Sequence, residues 1–150
     1  MKTRSLTRQE VAAEPHRLWN AYVDLLAMEV YLELSPEQRP AHLVFWYESE
    51  VQNGGHLQYF QNRGTERLAE TIAALGSLGA CCHQQILREA GELWHEHSRG
   101  RVTSAQEFHE TALDGEFDTF DARFHACTPK LQSCLETHLR DHEATFVRVR

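Results

Sequence analysis

Lysine is almost missing from this chain: Lys2 and Lys130 are the only two among 15 basic residues, which face 22 acidic ones. The formal net charge of -7 gives nucleic-acid binding no electrostatic support, because affinity for a phosphate backbone is carried largely by clustered basic side chains. No direct nucleic-acid partner is expected. No stretch approaches the ~18 uninterrupted apolar residues of a membrane-spanning helix, so no membrane partner is expected either. The opening, Met1-Lys-Thr-Arg-Ser-Leu-Thr-Arg-Gln-Glu10, is basic and polar with no apolar run behind it, which argues against a signal peptide. Chemical signatures are missing as well: His-Glu-x-x-His, Cys-x-x-Cys, Gly-x-Ser-x-Gly, Gly-x-Gly-x-x-Gly and the phosphate-cradling Gly-x-x-x-x-Gly-Lys-[Ser/Thr] are all absent. No catalytic residue, metal ligand set or cofactor follows from any motif. There is no repeat at a fixed period and no convincing alternation for a sheet.

What is present reads as one all-α domain. A chain of 150 residues with 41% hydrophobic and 25% charged side chains suits a single globular unit with a sizeable core. Residues 1–14 are a polar lead-in with a short helix over 7–13, residues 15–146 form the helical domain, and residues 147–150 are a tail. The stretch 144–150 is basic and aliphatic enough for a short strand. Pro15 suits a first helical turn, and Leu18, Trp19, Tyr22, Leu25, Leu26, Val30 and Leu34 recur at helical spacing through Leu34. Ser35-Pro36 then starts the central helix, which carries the apolar run Leu43-Val-Phe-Trp-Tyr47. Thr65 caps the next helix, Gly76-Ser-Leu-Gly79 breaks it, and another runs from about Ala80 to His97. A capping box at Ser104–Glu107 opens a helix over 105–113, Asp114-Gly115 makes a turn, a further helix ends before Pro129, and the last ends near Glu143. The expectation is a bundle of about seven or eight helices with a broken central helix at Asn53-Gly55. Cys81, Cys82, Cys127 and Cys134 do not form a secreted disulfide framework; they read as mostly reduced, partly buried thiols in a cytoplasm.

The break organises the rest. Asn53-Gly54-Gly55 tolerates positive φ at little cost, and Asn62-Arg63-Gly64 is a second stop signal. Glu50, Asn53, Gly54, Gly55, His56, Gln58, Tyr59, Asn62 and Gly64 thus read as one structural motif. Its glycines make the corner, and Gln58 and Asn62 tie down backbone groups freed by the broken helix. An alternative is a small-molecule or enzymatic pocket around His56, Gln58, Tyr59 and Asn62, where polar groups converge.

Two further features carry function. Glu107, Glu110, Asp114, Glu116, Asp118 and Asp121 fall in one window of fifteen residues without a Lys or Arg. They suggest a negative surface that attracts a basic protein partner. A second acidic set is Asp24, Glu29, Glu33 and Glu37. The ten histidines raise a metal site as another alternative, through His138 with His142, His95 and His97 beside Glu92 and Glu96, or Cys81-Cys82-His83. The plainer reading places them at helix C-termini.

The pattern Asn53-Gly54-Gly55-x-x-Gln58-Tyr59-Phe60-x-Asn62-x-Gly64, with Glu50 shortly before it, resembles the signature of a bacterial all-helical family of unknown function typified by DNA-mimic protein nineteen. The likeness runs from about residue 15 to 146. His56 stands where that family usually has an aromatic or aliphatic residue. The resemblance implies a single helical domain, often self-associating, with no established enzymatic activity; no cofactor is expected. It further implies an acidic face that occupies the DNA-binding surface of a basic partner protein, and it leaves a homodimer open.

Overall fold

The longest element is also the one with a fault in it. In the computed structural model, which describes the backbone of residues 1–99 and 106–150 and side chains outside 98–114, helix α3 runs Arg39–Arg63, and Gly54 and Gly55 inside it have non-helical dihedrals. A straight helix of 25 residues would be a rod of about 37 Å. The fault divides it into two arms, 39–53 and 56–63, and each buries its own face. The first arm buries Ala41, Val44, Tyr47 and Val51, at helical spacing; the second buries His56, Tyr59 and Phe60. The expected break at Asn53-Gly55 is therefore present.

The other helices pack around these arms. They are α1 (Arg8–Ala13), α2 (His16–Met28), α4 (Leu68–Ser77), α5 (Cys81–Arg99), α6 (Gln106–Ala126), α7 (Leu131–Asp141) and α8 (Glu143–Phe146). Helix α3 touches α2, α4, α6 and α7. The core joins Tyr22, Leu25 and Leu26 of α2 to Leu75, Leu87, Phe117, Leu135 and Phe146 from the later helices. Three rings meet there: Phe60 stacks on Trp94 (centroids 5.2 Å apart) and on Phe117 (5.7 Å), which are themselves 6.5 Å apart. Eight α-helices among the described residues agree with the all-α expectation.

Several boundaries differ from those expected, each for a physical reason. Helix α2 stops at Met28 instead of Leu34, and Glu29 and Val30 are extended before a 3₁₀ turn at Tyr31–Glu33. Val30 kept the helical spacing in the sequence, yet it is 60% exposed. Ser35 does not cap α3. Gln38 holds that position, and its fully buried amide accepts from the Ser35 N–H (3.0 Å) while donating to Lys2 O (2.6 Å) and Thr145 O (2.8 Å). Arg67, not Thr65, precedes α4. Helix α6 continues through Asp114-Gly115 without a turn; one interior glycine costs only about 1 kcal/mol, less than packing Phe117 and Phe124 returns. The expected capping box at Ser104–Glu107 lies outside the described residues.

The chain is not wholly helical. Strands β1 (Arg4–Leu6) and β2 (Val147–Val149) pair in parallel with Arg4 opposite Val147. The tail forms a strand as its composition allowed, but the lead-in supplies the partner, which the sequence reading did not foresee. The cysteine reading is also corrected: Cys82 and Cys127 form a disulfide that ties the start of α5 to the end of α6, while Cys81 (exposed) and Cys134 (buried) are free thiols.

Candidate functional site

Breaking a helix frees backbone groups that must find partners. At Gly54-Gly55 the partners come from side chains on both sides of the bend and from another helix. Gly55 has φ 75°, in the left-handed region that only glycine enters without strain. A Cβ there would also stand 2.4 Å from Oδ2 of Asp121. That carboxylate, from α6, accepts the backbone N–H of His56 at 2.9 Å. It therefore caps the second arm from outside the helix, a service normally supplied by the residue just before a helix start.

The same Asp121 Oδ1 is 2.6 Å from His56 Nδ1. Across the ring, Nε2 is 2.7 Å from the Tyr47 hydroxyl. A carboxylate only accepts, so Nδ1 carries the proton and Nε2 accepts from Tyr47 O–H. His56 is fully buried, in contact with Phe117, Phe120 and Phe124. Burial pushes the Asp121 carboxyl up, but the ring and backbone hydrogen bonds from His56 outweigh it and hold the group below its usual range. Burial, with the nearby Tyr59 and Asp121, drives the Tyr47 hydroxyl well above its usual value. An Asp–His–hydroxyl chain of this kind can activate a nucleophile. Here the hydroxyl has 0% exposure, and no substrate reaches it. The chain of bonds fixes the bend.

The outer side of the bend is closed by Glu50. Its Oε2 accepts from Asn62 Nδ2 (2.7 Å) and Gln58 Nε2 (3.3 Å), and Gln58 Oε1 accepts from Asn53 Nδ2 (3.3 Å). Gly64 ends the second arm with φ 61°. Glu50, Asn53, Gln58 and Asn62 are thus joined around the corner, while Tyr59 packs edge-on against Tyr47 and Gly64 stands at the far end of the arm. The expected role of Gln58 and Asn62 is corrected: they bind the Glu50 carboxylate, and the freed His56 N–H goes to Asp121. Among the described cavities none is lined by His56, Gln58 or Asn62; of the four residues of the pocket reading only Tyr59 lines one.

The three acidic side chains described on α6 have different surroundings. Asp121 turns inward to His56. Glu116 is 2.6 Å from His97, and Asp118 is exposed; the side chains of Glu107, Glu110 and Asp114 lie outside the described residues. In the second set, Asp24 and Glu29 pair with Arg4, and Glu29 and Glu33 with Lys2, so the N-terminal strand neutralises most of it. Among the described residues no group of three or more His, Cys, Asp or Glu is placed to hold a metal ion, and Cys82 of the Cys81-Cys82-His83 candidate is committed to the disulfide. No described helix is long and apolar enough to cross a membrane.

The Tyr47–His56–Asp121 chain escaped the sequence reading, as did Gln38. Only the left-handed glycine and the odd histidine beside it signalled that something lay opposite. The family model for DMP19-like protein matches residues 32–142, which takes in the bend, both arms of α3 and all of α4 to α6. No curated protein and no solved structure matches the chain.

Proposed function

The chain belongs to the DMP19-like protein family, and from that premise we propose that it is a protein-interaction module whose acidic α6 face covers the basic surface of a DNA-binding protein. The carrying observation is the unbroken course of α6. At 100° per residue, positions 107, 110, 114, 118 and 121 fall on one narrow stripe. Two separate helices joined by a turn would have scattered them. Asp121 serves the bend instead, so the partner would engage the stripe at positions 107, 110, 114 and 118. Positions 107 and 118 are about 16 Å apart along the axis, a line of negative charge long enough to engage several basic side chains that would otherwise grip phosphates.

The test immobilises the chain and passes over it DNA-binding proteins recovered from a bacterial lysate by heparin chromatography. Retention of a specific protein should weaken with salt, should be displaced by duplex DNA, and should vanish for a variant carrying Glu110→Lys, Asp114→Lys and Asp118→Lys. Retention that survives this triple reversal sinks the reading.

A further inference from the structure

A cavity of about 130 Å³ lies between α3, α4 and the 3₁₀ turn, away from the acid stripe. In a chain of net charge -7, its lining contains two arginines and no acidic residue. Arg63 lies over the Trp46 ring at 4.1 Å, and Arg67 over the Tyr31 ring at 3.9 Å. Stacking holds a guanidinium by its face and leaves the N–H edge for an acceptor. The carboxylates beside them do not fill that need. Glu50 is 3.8 Å from Arg63, and its other oxygen already takes two amides; Glu66 is 4.0 Å from Arg67 and points to solvent at 83% exposure. Both distances exceed hydrogen-bond reach.

The third polar wall is His42. Its Nδ1 is 2.9 Å from the Leu26 carbonyl, which can only accept, so Nδ1 bears the proton and Nε2 is left as an acceptor. Burial, aided by the charge of Arg63, lowers the ring's pKa against the pull of that carbonyl. The cavity therefore presents two planar cations and the His42 acceptor against aromatic walls, with Tyr59 and Thr71 also in its lining.

We propose that this cavity binds the oxyanion head of a small ligand, a carboxylate or a phosphate monoester, in the forks of Arg63 and Arg67, with an O–H of the same ligand donating to His42 Nε2. Size limits the class. A cavity of roughly 150 Å³ takes up benzene, so this one accepts a head group and leaves the remainder of the ligand outside. The site is separate from the face assigned to a protein partner, and either can fail without the other.

The test uses the full chain labelled with ¹⁵N and follows the arginine Nε–H signals during titration with hydrogen phosphate, glycolate and, as an uncharged control, ethylene glycol, at constant ionic strength. The Arg63 and Arg67 signals should shift saturably with at least one anion. Saturation by hydrogen phosphate alone assigns a phosphate ester, by glycolate alone a carboxylate, and by both the shared oxyanion chemistry. Arg63→Gln and Arg67→Gln should each weaken binding roughly tenfold, the scale of one lost charge-assisted pair, and Arg67→Lys should fall between parent and Arg67→Gln. Arg88→Gln, on α5, should bind like the parent. The proposal is overturned if neither anion shifts these signals, if ethylene glycol shifts them as strongly, or if the glutamine variants, folded by circular dichroism, bind like the parent. The parent titration decides the matter even where a variant does not fold.

Discussion

One oxygen of Asp121 holds both the backbone N–H and the ring Nδ1 of His56, at 2.9 and 2.6 Å, across 65 positions of sequence. The bend in α3 is therefore finished by α6. Asp121→Ala should destabilise the protein by about 2–4 kcal/mol, because two buried donors lose their acceptor. Asp121→Asn should cost less, since an amide oxygen in the place of Oδ1 can accept both bonds, without the charge. Urea denaturation of the three proteins checks this; an alanine variant as stable as the parent would refute the capping role.

The acid limb follows from the same pair. The folded Asp121 carboxyl sits below its ordinary value, so its contribution is full above the unfolded value of about 3.9 and is lost as pH falls through the folded one. Asp121→Asn should flatten that part of the stability profile and leave the neutral region with a constant offset.

Gly55 and Gly54 should differ under the same substitution. Gly55→Ala forces an alanine to φ 75° and into the Asp121 carboxylate, while Gly54, at φ -154°, would meet only the flexible end of Gln58 and its Cβ. A cost of roughly 2 kcal/mol or more is expected for Gly55→Ala, and a smaller one for Gly54→Ala. Equal thermal midpoints for the two variants would contradict the geometry.

His83 and His138 are held down to about 4. Burial is the first cause for both, with Lys130 and His56 adding for His83 and His142 for His138. Each lies below its unfolded value of about 6.5, so the unfolded chain binds more protons between the two and stability falls as pH drops through that window. Denaturation midpoints at pH 7.5, 6 and 5 should decline in order, and His138→Phe should reduce the decline.

Reducing Cys82–Cys127 opens a loop of 45 residues. By chain entropy this should cost about 4 kcal/mol, read as a lower denaturation midpoint in dithiothreitol. The Cys82→Ser, Cys127→Ser double variant should match the reduced parent.

How much of this was legible depends on the reach of each signal. Gly54-Gly55 and Gly64 announced the corner and its end, because positive φ is a local demand written in local residues. The seven or eight helices came from apolar spacing, which is local too. The same spacing misled at Val30, where it continued past the end of α2. Asp114-Gly115 misled in the opposite sense, since turn chemistry lost to the packing of Phe117 and Phe124. Partners far apart in sequence left no mark: Asp121 looked like one acid among six, Gln38 like a first-turn amide, and Cys82 and Cys127 like unrelated thiols. At the bend itself the expected bonding scheme was wrong, because the acceptor for the His56 N–H belongs to another helix.

The pairing of β1 with β2 has a temporal side. As the polypeptide leaves the ribosome, β1 has nothing to zip onto until residues 147–149 have been made. Lys2 and Arg4 can meet the acids of α2 and the following turn early, but the Gln38 amide gains its second carbonyl only once Thr145 has followed. The seam between β1 and β2 closes after the helices that separate them in sequence have been made.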